Sequence, residues 1–222
     1  MVACFRTLLP DGQLIQQAGW RGYVELIMKN TTINFCGDSY CAWLDENTKQ
    51  SWGVMLADKL EAKIIGSGKV STASEYAIKS FNPTSDINVF CWTSSARMYH
   101  EKYHVGYSGG VKSLNGLKQN ELLSALGECW YRTFFDKEYF NELQMRSLYW
   151  FDHEVLSTYK GLAIHLFNFE KTYTFKNGLQ YNRILKDLSD TSDILVNHMT
   201  YENNKLVADE VFELVRLALP NG

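Results

Sequence analysis

The sequence predicts an α/β protein, a single three-layer α/β/α domain built on a mainly parallel sheet. Three observations lead there. Short β-rich runs alternate with segments of helical periodicity, the order that yields parallel strands joined by helical crossovers. At 222 residues, with 45% apolar and 21% charged side chains, the chain can bury a full core as one domain without disulfide or metal staples. Internal repeats and low-complexity tracts are absent, and there are only three prolines.

Residues 31–36 form a short β-rich run ending in Gly37-Asp38-Ser39, a strand feeding a turn. In residues 51–60 the apolar side chains Trp52, Met55, Leu56 and Leu60 fall at helical spacing. Ala62-Lys63-Ile64-Ile65 is a second strand, running into Gly66-Ser67-Gly68, and residues 72–81 read as a helix closed by Asn82-Pro83. Residues 86–92 give a third strand, 121–159 at least two helical segments, and 161–167 a fourth strand. Thr200 is an N-cap for a terminal helix with Val207, Val211, Leu214, Val215 and Ala218 on one face. Residues 100–118, with four glycines, show no period, and a loop there would follow a strand's carboxyl end, where open α/β sheets place ligands. The first convincing strand begins at Thr31. Residues 1–27 therefore read as an appendage, an arm or the product of an upstream start codon, and the chain divides at 1–30 and 31–222.

A net charge of −3 and a pI near 6.0 give no general attraction to phosphate backbones or anionic lipid, so neither nucleic acid nor a membrane is an expected partner. The five cysteines (Cys4, Cys36, Cys41, Cys91, Cys129) are odd in number, scattered and without a Cys-x-x-Cys pair, and are expected as reduced, mostly buried thiols. Arg6, Asp11, Arg21 and Glu25 interrupt any apolar run before signal-peptide length, so a cytoplasmic protein is expected. With no Gly-x-x-x-x-Gly-Lys or Gly-x-Gly-x-x-Gly, no nucleotide cofactor is implied, and none of another kind is expected.

Phe35-Cys36-Gly37-Asp38-Ser39-Tyr40 puts a serine where the first strand leaves the sheet. A serine hydroxyl is a weak nucleophile unless a base takes its proton, and a turn at the sheet edge exposes it beside backbone N–H donors. The tripeptide alone is common as a helix-capping turn. Its order relative to other blocks carries more: Trp52, Leu56, Ala57 and Leu60 follow it in a Trp-x-x-x-Leu-Ala-x-x-Leu helix, and His198-Met199-Thr200-Tyr201-Glu202-Asn203 opens the last helix. Together these blocks resemble the SGNH (GDSL-like) hydrolases over roughly residues 31–218.

The resemblance implies a flavodoxin-like three-layer fold and hydrolysis of an ester, as an esterase, acetyl esterase or thioesterase, through an acyl-Ser39 intermediate with His198 as general base. It implies an oxyanion hole from the Ser39 backbone, the backbone of Gly68 or Ser71, and Thr93, which stands where the family carries Asn. The family's acid lies three residues before the histidine. That position is Leu195 here, which leaves Asp193 as the candidate, Asp190 as its neighbour, and a Ser-His dyad as the alternative. Trp92-Thr93-Ser94 followed by Arg97 is similar to phage-encoded members, which brings virion association into view.

Two other classes compete. The substitutions at Thr93 and Leu195 favour a non-catalytic module of the same fold, a virion part or a carbohydrate binder. His100-Glu101-Lys102-Tyr103-His104 fits His-Glu-x-x-His, which on a helix would offer two imidazoles to zinc, but the run enters a glycine-rich segment and lacks an apolar face. His153 and His165 read as structural. Trp130, Tyr131, Phe134 and Phe135 recur too densely for one helix face and read as core or interface.

Overall fold

The computed structural model describes residues 6–8, 14–16, 31–42, 50–97, 103–105, 111–113, 129–190 and 196–218. Its centre is a sheet of five strands, β1 (Thr32–Gly37), β2 (Lys63–Gly66), β3 (Ile87–Trp92), β4 (Leu162–Phe167) and β5 (Leu179–Ile184), in the order β2-β1-β3-β4-β5. Every neighbouring pair is parallel. This is the flavodoxin-like order, in which the winding reverses between β1 and β3 and opens a crevice at their carboxyl ends.

Alternation along the three central strands explains the layers. Ile33 and Phe35, Ile87 and Val89, and Ile164 and Leu166 point to one face, where α1 (Trp52–Lys59) and α4 (Tyr201–Ala218) cover them with Trp52, Leu56, Val207, Val211 and Val215. Phe90, Trp92, Ala163 and Phe167 point to the other, beneath α2 (Ser74–Lys79), the end of α3 (Lys137–Trp150) and Phe151. The fold is therefore the three-layer α/β/α class, with β1, β3 and β4 buried on both faces.

Four strands fall where the sequence puts them. The fifth, Leu179–Ile184, was not anticipated: at the sheet edge it buries only Leu179 and Tyr181 and carries Gln180, Asn182 and Arg183, so it lacks the apolar run of its neighbours. Two short antiparallel ribbons were also unforeseen, Arg6–Leu8 with Leu14–Gln16 and Tyr103–Val105 with Val111–Ser113. The rest of the expected appendage and of the 100–118 loop lies outside the described residues. Cys36, Cys41 and Cys91 are buried free thiols, whereas Cys129 is free and exposed. Among the described residues no helix is long and apolar enough to cross a membrane.

After α3 the chain widens into one π-helical turn, Phe151–Val155, which turns Asp152 inward. Its buried carboxylate accepts N–H bonds from Lys176 (2.8 Å) and Asn177 (3.0 Å) and a hydroxyl bond from Tyr173 (3.1 Å), fixing the segment that enters β5. The Asn177 carbonyl in turn meets Nε2 of His165 at 3.0 Å, while Nδ1 accepts from the Trp92 indole at 3.2 Å. His165 is thus held as the neutral Nε2–H tautomer, stacked on Phe175 at 3.6 Å between ring centroids. It serves the core, as its strand pattern implies.

Burial lowers the His165 pKa from 6.5 to about 4, against the opposing pull of the Asn177 carbonyl and Asp152. The unfolded chain therefore binds a proton that the folded chain refuses. This contribution to stability is complete above pH 6.5 and is lost as pH falls toward 4. The loss amounts to about 3 kcal/mol. Urea denaturation from pH 7 to pH 4 should show this as a steeper decline in wild type than in His165→Gln, whose amide can keep both hydrogen bonds. Equal slopes in the two proteins would exclude His165 as the source.

Candidate active site

The site grows from the end of β1. Gly37 sits at φ +155°, and a Cβ there would lie 2.5 Å from the Cys91 carbonyl oxygen, so only glycine lets β1 pass this close to β3 as it turns. Asp38 caps the 3-10 turn Ser39–Cys41 that follows, its carboxylate accepting the Tyr40 N–H at 3.0 Å. Ser39 is therefore the first residue of a short helix at the crevice, where an N–H has no intrahelical acceptor.

His198 arrives from the other end of the chain. Thr200 caps α4 as the sequence implies, its hydroxyl accepting the Asn203 N–H at 3.2 Å. Just before the cap, Asn197 and His198 take φ 54° and 64°, two successive non-glycine residues in the left-handed region. That pair of turns aims the imidazole at the β1 turn, and Nε2 lies 2.7 Å from Ser39 Oγ. Tyr40 flanks the ring at 4.9 Å between centroids and is anchored by a 2.7 Å bond between its hydroxyl and Ser189. Partial removal from water lowers the His198 pKa below 6.5, with Asp38 opposing and Arg97 reinforcing the shift. A depressed pKa keeps the imidazole neutral near pH 7, able to accept the serine proton.

Beneath the pair lies a polar cluster that sequence reasoning missed. The Asp38 side chain is fully buried. One oxygen accepts Asn168 Nδ2 at 2.7 Å besides the Tyr40 N–H, and the other meets Arg97 Nη1 at 2.9 Å. Burial raises the Asp38 pKa, while Arg97 and the Tyr40 N–H pull it down. Asp38, Arg97 and Asn168 follow β1, β3 and β4, so one carboxylate ties three strand-end loops together. The available signal was position, since residues just past the carboxyl ends of parallel strands line the crevice.

The expected oxyanion donors fare differently. Gly68 does not bring a free donor: its N–H bonds the Cys41 carbonyl at 3.0 Å. Its role is spacing, because a Cβ there would come within 2.6 Å of both the Asp38 carbonyl oxygen and Cys41 Sγ. Ser71 takes φ 60°, a left-handed conformation that favours glycine. Thr93 follows β3, its N–H and carbonyl held by Ser74 Oγ at 3.1 Å each and its carbonyl also by Gln144 at 2.7 Å. Its buried hydroxyl faces Asp38 without a hydrogen bond of ordinary geometry.

Asp193 lies outside the described residues, as does Leu195. Asp190 is described, and its N–H donates to the His198 carbonyl at 3.0 Å. Of the His-Glu-x-x-His run, His100 and Glu101 lie outside the described residues. His104 sits in the extended ribbon Tyr103–Val105, not in the helix that the zinc reading needs. Among the described residues no group of three potential metal ligands occurs. Trp130, Tyr131, Phe135 and Phe140 form a half-exposed aromatic cluster, while Phe134 is 67% exposed.

No family model and no curated protein sequence matches the chain. Among solved structures, the chain is similar to a G-D-S-L family protein described as lipolytic from Desulfitobacterium hafniense DCB-2, at TM-score 0.41 and 14% identity, covering 83% of this chain and 99% of that one. It is also similar to a carbohydrate esterase family 2 enzyme with its carbohydrate-binding domain from Corynascus thermopiles (Myceliophthora fergusii), at TM-score 0.45 and 11% identity, covering 94% of this chain and 70% of that one.

Proposed function

We propose that the protein is a serine hydrolase that cleaves an ester through an acyl-Ser39 intermediate. The observation that carries the reading is the 2.7 Å contact between Ser39 Oγ and His198 Nε2, made by residues 159 apart at the sheet's switch point. Neither residue alone would argue for catalysis, but their convergence supplies a nucleophile and its base.

The chemistry follows from the contact. Ser39 Oγ attacks the ester carbonyl carbon as its proton passes to His198 Nε2, and the carbonyl π electrons become an oxyanion. The oxyanion collapses, the C–O bond to the alcohol breaks, and the alcohol leaves with the proton from His198. A water then gives its proton to His198 and attacks the acyl carbon, and the carboxylic acid leaves as Ser39 regains its proton. The Ser39 N–H is a donor to the oxyanion in this scheme, with the Ser71 backbone and the Thr93 hydroxyl as its companions. Asp193 is the proposed orienting acid for His198.

A fluorophosphonate probe should label Ser39 in wild type and label neither Ser39→Ala nor His198→Ala, with the thermal midpoints of the variants within a few degrees of wild type. Labelling of another serine, or of none, would move the reading to a non-catalytic module. Against short p-nitrophenyl esters, kcat/KM should rise with pH and level off, because the base must be neutral. The midpoint of this acid limb should fall below the ordinary imidazole value of 6.5, since His198 is shifted down. A midpoint above 6.5 would contradict that environment.

Thr93→Val separates two roles for a buried hydroxyl. As an oxyanion donor its loss lowers kcat about 100 to 1000-fold with KM nearly unchanged. As a partner of Asp38 alone its loss affects stability and leaves kcat within about threefold. Asp193→Asn should lower kcat less completely than Ser39→Ala, and wild-type turnover in that variant would remove Asp193 from the mechanism.

A further inference from the structure

The left-handed pair at Asn197 and His198 needs an explanation, because each such non-glycine residue is disfavoured by its own Cβ. We infer that Asn204 is the positioning residue that holds His198 on Ser39, by clamping the 196–200 turn to the amino end of α1. This rests on the reading of Ser39 and His198 as a nucleophile and its base.

The observations converge on one buried amide. Asn204 lies on the first turn of α4, is fully inaccessible to solvent, and replaces what is an apolar position in Val207, Ala208 and Val211 further along the same face. Its Nδ2 is within hydrogen-bond distance of three carbonyl oxygens, Val196 (2.9 Å), Met199 (3.1 Å) and Thr200 (3.0 Å), which surround His198 in the chain. Its Oδ1 accepts the Trp52 N–H at 2.9 Å, the first N–H of α1. A second strut runs beside it, from Asn197 Nδ2 to Ser51 Oγ at 2.7 Å. No other side chain touches both the histidine turn and α1 through so many bonds among the described residues.

The physical logic is that of a bracket. The turn would gain by relaxing toward negative φ, which would swing the imidazole away from Ser39. The Val196 carbonyl also accepts the Met199 N–H at 3.1 Å and the Thr200 carbonyl the Asn204 N–H at 2.9 Å. The Asn204 amide therefore adds a side-chain tie to carbonyls on both sides of the left-handed pair, and its loss would free the turn from α4 and α1 without unpairing all of its backbone. Its oxygen then ties the turn to α1, whose Trp52 indole donates to the Tyr40 carbonyl at 2.6 Å, beside the nucleophile. The base and the nucleophile are thereby held to the same helix end by one chain of bonds: Ser39 turn, Trp52, Asn204, His198 turn.

The test compares Asn204→Ser, Asn197→Gly, Ser51→Ala and the double variants with Asn204→Ser, in the full-length protein. Asn204→Ser shortens the donor and should lower kcat by about tenfold or more with KM within about twofold, since displacing a catalytic group costs rate more than binding. Asn197→Gly removes the Cβ penalty at the first left-handed residue and also the strut to Ser51, so Ser51→Ala, which cuts the strut alone, is its matched control. In the Asn204→Ser background, Asn197→Gly should give a kcat about fivefold above that of Ser51→Ala, because both lack the strut and only glycine adopts that conformation without a Cβ penalty. A residue that merely stabilises the fold would not be rescued in this way.

The His198 ring is followed in parallel by NMR titration, a readout that does not depend on turnover. The groups facing the ring are Asp38 and Arg97 from the β1 and β3 ends, Tyr40 beside it, and Ser39. In wild type it should titrate below 6.5, and in Asn204→Ser it should move back toward that value as the ring leaves its enclosure. An Asn204→Ser protein that unfolds cooperatively, keeps wild-type kcat and leaves the His198 titration unchanged would overturn the inference. A titration that shifts as stated in a protein whose Ser39 is never labelled would uphold the clamp and refute the hydrolase reading instead.

Discussion

The buried carboxylate of Asp38 is the constraint on which the site depends. It draws together the Tyr40 N–H, the Asn168 amide and the Arg97 guanidinium, so the loops after β1, β3 and β4 share one acceptor. A carboxylate and a guanidinium placed here are costly to desolvate, and leaving either partner alone by mutation costs about 3 to 5 kcal/mol. The geometry that stabilises this pair is therefore also what fixes the turn carrying Ser39. Partial burial is the main cause of the lowered His198 pKa, and the two charges act on it in opposite directions, Asp38 raising it and Arg97 lowering it.

The sheet supplies the place for this arrangement. Parallel strands bring all their carboxyl ends to one edge, and the reversal of winding between β1 and β3 leaves a gap there that no crossover helix fills. Gly37 and Gly68 let three segments approach to contact distance at that gap, since a Cβ at either would strike the neighbouring backbone. Trp92 and His165 stack on the second face, directly below the β3 and β4 ends. Core packing and site geometry are thus decided by the same few strand residues.

The histidine side is held by different means. Where the serine turn rests on an ion pair, the 196–200 turn rests on neutral amides, Asn197 and Asn204, that reach across to Ser51 and Trp52. Amides carry both a donor and an acceptor, so they can satisfy carbonyls and an N–H at once without burying charge. Strain at two left-handed residues is tolerated because the surrounding hydrogen bonds over-determine the conformation.

Local pattern was enough for the doubly buried strands, for the helices α1, α2 and α4, and for the Thr200 cap, because burial on both faces or on one helical stripe writes a period into the chain. Ser39 and His198 were candidates through their order in the chain and the resemblance of the blocks that carry them, not through local pattern, and the fold brings their side chains to 2.7 Å. Local pattern could not reveal β5, whose polar edge carries no such period, nor the extended backbone at His104, where His-Glu-x-x-His spacing suggested a helix. The partners of Asp38, the commitment of the Gly68 N–H to Cys41 and the Asn204 clamp were likewise decided only in three dimensions. Each joins residues whose relation depends on strand order and loop path. A hydrogen bond between distant segments leaves no periodicity in either of them, so its partners become visible only when the sheet brings them within about 3 Å.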